Sequence, residues 1–511
     1  MRLNIIKKNK KNIKEIENKQ QNQDTSTLLN YTNLKNILGE SEDIKWRDLV
    51  LNQNSDMCIK LVYIDGLVNS SDISDYVIKP LLELETFKQA KNLDDVIKLL
   101  QDGTIYFASQ SSTTDINKAS AEVVSGAAIL LFESQNTAFI FETKGVDKRS
   151  IMEPAVENVN KGPKDSFIEN YRTNTATVRS KLKVPDLMFE SMVIGDRTRT
   201  TVSIVYIKSI TSDEILKKIR EKLQSLNVDN VLTTSIIEDV MSEDETSTLP
   251  QILTTERPDT FCADILEGRA GILVDGLPFG FIVPGTLNQF MQTPEDYSRR
   301  FVVSSFIRII RFTSLLLGVF LPGFYVAVTT FHSEFIPTNI ILFIAKSREG
   351  VAFPVAVEAL AMIIAFEILF EAGLRIPKSV GMTVSIVGTL VVGQAAVDAK
   401  LISPSILVVI AMASIASFTL PNQDFSNSVR LWRIIVTIFS ACAGLVGLVI
   451  SIIILSYELC RLTPFGVPYM SPFVGNEGKH VLNDTIFRFP SKYNLKRPEC
   501  LKPKDVVRRG N

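Results

Sequence analysis

Histidine and cysteine are scarce in this chain. Two histidines, His332 and His480, in 511 residues are too few for a histidine-rich metal site. The five cysteines (Cys58, Cys262, Cys442, Cys460, Cys500) lie far apart and form no C-x-x-C, which excludes a disulfide scaffold. Neither sign of charge is in excess: 55 Lys and Arg face 56 Asp and Glu, for a formal net charge of -1. A strongly basic nucleic-acid binder is thereby excluded, and no nucleic-acid partner is expected. No secretory signal is expected, because the seven Lys and Arg of residues 1–20 are not followed by an apolar core. G-x-G-x-x-G is absent, and Gly162-Pro163-Lys164 lacks the glycine-rich run and Lys-Ser/Thr pair of a P-loop. No catalytic constellation, metal site or cofactor is expected, and the chain does not read as an enzyme.

What is present divides unevenly. Residues 312–457 hold 14 charged residues in 146, against 97 in the other 365. Only the first density suits a bilayer, which explains a mean hydropathy of +0.17 for the whole. The expected fold is an α/β (or α+β) soluble region of two subdomains followed by an all-α multipass transmembrane bundle. The expected divisions are a basic disordered tail at 1–27, soluble subdomains at 28–185 and 186–293, a helical membrane domain at 294–460 and a polar C-terminal tail at 461–511. The basic tail has a second open reading, a polybasic segment on anionic lipid.

In the soluble region, Cys58–Ile64 reads as a strand ending in the turn Asp65-Gly66. Ser71–Leu84 and Leu93–Leu100 have helical spacing. Ala127–Phe132 and Thr137–Glu142 form an expected hairpin, and Ala270–Val274 with Phe279–Val283 a second one across Asp275-Gly276. Asp165–Leu182 reads as helix, Leu187–Ile194 and Thr201–Lys208 as strands, and Asp213–Leu226 as an amphipathic helix. Acidic Ser242–Glu245 reads as an exposed loop.

Arg299, Arg300, Arg308 and Arg311 precede the first apolar stretch, Phe312–Phe331, which at 20 residues reaches ~30 Å as a helix. The positive-inside tendency puts the large soluble region in the cytoplasm. Further candidate spans are Val351–Phe370, Val380–Val397, Leu401–Leu420 and Ile434–Tyr457; Phe335–Ala345 is too short to cross. Five full spans would leave the C-terminus outside, whereas ten Lys and Arg against four Asp and Glu in residues 461–511 favour the inside. The expected resolution is an even count, with Phe335–Ala345 or Val380–Leu420 irregular.

Carboxylates inside apolar segments are the main chemical signal, since a charge at mid-bilayer costs ~2.5–3.5 kcal/mol on insertion scales. Glu358, Glu367 and Glu371 are candidates for an ion pathway, with Ser403, Ser414 and Ser417 on the next long segment. Protonation or pairing with Arg375 and Lys378 is the alternative reading of the carboxylates, and bonds back to helix carbonyls are the alternative reading of the serines. Gly381, Ser385, Thr389 and Gly393 form one stripe of small residues, and Ser440, Gly444, Gly447 and Ser451 another; both are helix-packing candidates, within the chain or between chains.

Several runs, in chain order, resemble the spore germination receptor A-subunit family (GerA/GerKA type). They are Thr255-Glu256-Arg257-Pro258-Asp259, Gly268 to Gly276, Pro294-Glu295-Asp296-Tyr297, Leu321-Pro322-Gly323-Phe324-Tyr325, Ile336-Pro337-Thr338, Phe366 to Leu369 with Glu371-Ala372-Gly373, Gly393-Gln394-Ala395-Ala396, and Phe465-Gly466-Val467-Pro468-Tyr469. Ile363 stands where the family commonly has an acidic residue, and Phe370 where it has arginine. The resemblance implies a multipass protein of the endospore inner membrane, partnered by a permease-like B subunit and a lipoprotein C subunit. It also implies an oligomer that senses nutrients and conducts ions. A transporter and a non-conducting scaffold remain the alternatives.

Overall fold

The structure, a computed structural model, describes residues 28–145, 154, 157, 159, 161–375, 393–474, 484–490 and 495–508. The expected tail at 1–27, the positions Gly381, Ser385 and Thr389, and most of Val380–Val397 lie outside them.

The first sheet contains β1 (Ile44–Val50), β2 (Cys58–Ile64), β3 (Gln110–Thr113), β4 (Ala128–Phe132) and β5 (Thr137–Phe141) in the order β1-β2-β4-β5-β3. The second contains β6 (Leu187–Ile194), β7 (Thr200–Ile207), β8 (Leu253–Thr255), β9 (Ala270–Val274) and β10 (Gly280–Val283) in the order β6-β7-β9-β10-β8. Every pairing in both is antiparallel, so of the two expected classes the head is α+β.

The two orders are the same pattern, and the sequence repeats with it. Residues 115–141 align with 257–283 without a gap: Ala121 with Ala263, Gly126 with Gly268, Ala128 with Ala270, Leu131 with Leu273, Phe139 with Phe281 and Ile140 with Ile282. Each stretch is a helix, α1 (Ile116–Val124) or α2 (Pro258–Leu266), then a left-handed glycine and a hairpin in identical register. Gly126 and Gly268 have φ of +97° and +105°, a region open to glycine at little cost. Volume is exchanged between the halves. Phe261 on α2 stands where α1 has Ala119, and Gly271 and Gly280 stand opposite Ile129 and Ala138. A Cβ on Gly271 or Gly280 would lie 2.1 or 2.6 Å from the Phe261 ring. The helix that gains an aromatic ring therefore needs bare backbone beneath it.

α3 (Tyr171–Lys181) lies between the sheets, with Ala176 in the core of the first and Val178 in that of the second. It was expected to begin at Asp165 but begins at Tyr171, because the Asn170 side chain accepts from Thr173 N at 3.1 Å and caps it there. Its Arg179 is fully buried and grips Asp43 through two bonds of 2.7 and 3.0 Å, fastening the halves together.

The second core continues into the helices that follow. Phe290 stacks on Phe425 with centroids 6.0 Å apart, and Val319, Leu420, Trp432 and Leu448 belong to one buried cluster with Leu273 and Ile282. These helices are α4 (Phe301–Phe331), α5 (Thr338–Ser347), α6 (Val355–Arg375), α7 (Pro404–Phe418) and α8 (Gln423–Arg461). By length and apolar composition, α4 meets the requirement for crossing a membrane, as does α8 taken from end to end.

α8 differs from the single span expected at Ile434–Tyr457. Ala443 and Gly444 leave helical geometry, with Gly444 at φ +60° and ψ -136°. Both ends of α8 return to one loop: Ser428 Oγ donates to the Thr248 carbonyl, and Arg461 pairs with Asp244. A straight helix would separate Ser428 and Arg461 by ~50 Å. α8 is therefore a helical hairpin turning at Ala443-Gly444, and the loop expected to be merely exposed is its anchor. The expected polar C-terminal tail is also docked: Phe465, Val467 and Leu501 are buried against the second sheet.

Candidate functional site

Buried charge occurs at three levels along the helices. The lowest is where α4 leaves the head. A capping box formed by Thr293 and Asp296 starts the short helix Pro294–Ser298 and fixes the Asp296 carboxylate. That carboxylate accepts from Arg308 Nε and Arg311 Nη1, each at 3.0 Å. Arg308 also reaches Asp484 at 2.9 Å, and Arg488 donates to the Asp296 carbonyl at 2.7 Å. Burial would push the Asp296 carboxyl up, but the Arg311 hydrogen bond and both guanidinium charges outweigh it and hold it below the usual range. The arginines that served as topology markers in the sequence are thus also structural: they tie head, first helix and C-terminal segment together.

The middle level rests on a proline. Pro322 inside α4 has no N–H, so the Gly318 carbonyl loses its helical donor. Arg433 of α8 supplies one, with Nε 2.7 Å from that oxygen. Its other nitrogens donate to the Ala413 carbonyl at 3.0 Å and Ser414 Oγ at 3.3 Å, and the side chain is buried. Gly323 lets α8 approach, since a Cβ there would lie 2.9 Å from Ser440 Oγ and Val436 Cγ1. One turn away, Arg430 pairs with Glu367 of α6 and lies 3.9 Å over the Phe370 ring. Phe370, singled out in the sequence, thus lies against a guanidinium supplied by α8. Ile363 is buried among apolar neighbours.

The outer level joins α4, α6 and α7. Glu358 is buried, and its Oε2 accepts from both the backbone N–H (2.8 Å) and Oγ (2.9 Å) of Ser403. Its Oε1 accepts from Arg348 at 3.1 Å. Ser405 Oγ lies 3.4 Å from Ser403 Oγ, and Tyr325 OH lies 2.8 Å from Ser405 Oγ.

The six ion-pathway candidates thus separate. Glu358 and Ser403 meet at the outer level. Glu367 sits at the middle level, with Ser414 nearby on Arg433. Ser417 donates to the Ser414 carbonyl at 2.7 Å, and Glu371 lies exposed in an i,i+4 pair with Arg375. Among the packing candidates, Ser440 faces Gly323, a Cβ on Gly393 would lie 3.5 Å from the Leu407 side chain, Gly444 makes the hairpin turn, and Gly447 abuts the Phe439 carbonyl across it. Ser451 is buried and donates back to the Leu448 carbonyl. The second stripe is therefore divided between two arms. Sequence reasoning missed Asp296, Arg348 and Arg433. The signal for Arg433 was the pair Arg430 and Arg433 inside an otherwise apolar stretch.

Fold and site define a two-part protein, a duplicated α+β head continuous with an apolar helical bundle that carries internal ion pairs. The profile of the Bacillus/Clostridium GerA spore germination protein family matches residues 32–500, and the chain belongs to that family. It is 37% identical over 485 residues to Spore germination protein KA of Bacillus subtilis (strain 168), covering 95% of this chain and 88% of that one. It is 36% identical over 490 residues to the uncharacterized membrane protein YfkQ of the same organism, covering 95% and 93%. The crystal structure of the N-terminal domain of the A subunit of the Bacillus megaterium spore germinant receptor GerK3 matches with a TM-score of 0.40 and 30% identity, over 50% of this chain and 95% of that one. The family resembled by the motifs is the family found, and its members' role is in spore germination.

Proposed function

We propose that this chain is the A subunit of a nutrient germinant receptor and acts as an ion-conducting subunit in the endospore inner membrane. It works as an oligomer with a permease-like B subunit and a lipoprotein C subunit. The observation that carries the reading is Glu358, a carboxylate kept with serine hydroxyls inside apolar helices, an arrangement retained where ions or protons pass. Packing of the C-terminal segment on the head supports an even number of full crossings, because both must then lie on one side. Positive charge before the first span favours the cytoplasmic side. Nutrient binding opens the path only by favouring the open state over the closed one.

One observation favours a second reading, a scaffold that does not conduct: Glu358, Glu367 and Glu371 each already have an arginine partner within the chain. Purified protein in a planar bilayer separates the two. Cation conductance by the A subunit supports the first reading. Its absence, from protein shown to be oligomeric and correctly inserted, leaves the scaffold.

A further inference from the structure

Glu358 and Arg348 are held very differently. Glu358 is anchored on α6, and two donors from Ser403 at the head of α7 fix one of its oxygens. Arg348 lies in the connection between α5 and α6 and is about a quarter exposed, at 28%. It touches the carboxylate through one nitrogen, Nη2, which also donates to the Phe353 carbonyl at 3.3 Å, while its Nε finds no acceptor. This is not the two-bond fork that Arg179 makes with Asp43. A positively charged nitrogen rests between a carboxylate oxygen and a carbonyl oxygen, with the Ser403 and Ser405 hydroxyls on the far side of the acid.

We propose that the Glu358 carboxylate and the Phe353 carbonyl form a monovalent-cation site, with the Arg348 guanidinium occupying the cation's place in the closed protein, while Ser403 holds the other carboxylate oxygen and Ser405 extends the oxygens beyond it. All the donors are oxygen, which suits hard cations. One carboxylate balances one positive charge, so withdrawal of Arg348 leaves room for a single alkali cation; a divalent ion would remain overcharged. The hydroxyls of Ser405, Tyr325 and Ser347 continue the line of oxygens from the carboxylate to half-exposed positions, giving an arriving ion successive ligands. Cation and guanidinium compete for one acid, so whatever draws Arg348 away admits the ion. The role of the site in conduction rests on the channel reading, but its existence does not.

The test uses the purified full-length chain in detergent, with potassium as the probe. Thermal unfolding is compared in KCl and in choline chloride at equal concentration. The wild type is expected to unfold alike in both. Arg348→Gln is expected to unfold ~2 °C or more higher in KCl, or to fold only there. Arg348→Gln combined with Glu358→Gln is expected to lose that difference. An Arg348→Gln protein that folds equally well in both salts, or in neither, overturns the proposal, as does a potassium effect that survives Glu358→Gln. Spores carrying Arg348→Gln are then assayed for potassium release before nutrient is added. Potassium-stabilised protein with no such leak leaves the site standing and separates it from conduction.

Discussion

Arg433 of the hairpin donates to the Gly318 carbonyl, the oxygen that Pro322 leaves without its helical partner. A break in one helix and a cation in another are therefore halves of a single device, and each explains a residue that is costly alone.

That pairing predicts a non-additive mutant cycle. Arg433→Leu strands a buried carbonyl, at a cost of ~1–3 kcal/mol. Pro322→Ala returns an N–H to that oxygen, so the double variant should recover ~1 kcal/mol relative to the sum of the single effects. Thermal unfolding of the detergent-purified chain measures it, and simple additivity would show that the two residues act independently.

Gly271→Ala should destabilise the head by ~1–3 kcal/mol, because its methyl meets the Phe261 ring. Phe261→Leu should relieve most of that cost when combined with it. A Gly271→Ala variant as stable as the parent would mean that the ring moves freely and that the exchanged volume is incidental.

Glu367→Gln leaves Arg430 without its acid partner between α6 and α8. If the pair biases the closed–open balance by ~1–2 kcal/mol, nutrient-triggered cation release from spores should change on the order of tenfold. The direction expected is slower release, with protein abundance unchanged by immunoblot. Release at the parental rate removes Glu367 from the mechanism.

Glu157 should make stability fall as pH rises. Burial pushes its carboxyl up to about 7, against the opposing Thr255 hydrogen bond and Arg257 charge. Its folded value lies above its ordinary value of 4.5, so its stabilising contribution is complete below pH 4.5 and lost as pH approaches 7. Subtracting the stability curve of Glu157→Gln from that of the parent isolates this slope. A flat difference from pH 4.5 to 7 refutes the assignment.

Much of the head was legible in the sequence. Cys58–Ile64 and the two hairpins alternate cleanly and end in turn residues, so local pattern suffices. β1 was not, because Ile44–Val50 carries Lys45, Arg47 and Asp48 along an exposed edge. β3 and β8 have four and three residues, too few for a period to register. The duplication rests on six identities scattered over two stretches, and only the shared strand order brings them out. In the bundle, carboxylates stand out because charge is rare there. Their partners do not: Asp484 is 176 residues from Arg308, and Glu367 is 63 from Arg430. The hairpin turn was hidden because Ala443-Gly444 looks like any small pair in an apolar helix, and its turning depends on both ends finding one loop.

A chain that carries the same helix-and-hairpin twice runs a risk while it folds: the helix from one copy can settle on the hairpin of the other. Phe261 forbids one such exchange, since laid over the first hairpin it would collide with Ile129. Ala119 discourages the reverse, leaving a void above Gly271. The traded bulk thus works as a key that sorts two nearly alike pieces onto their own partners.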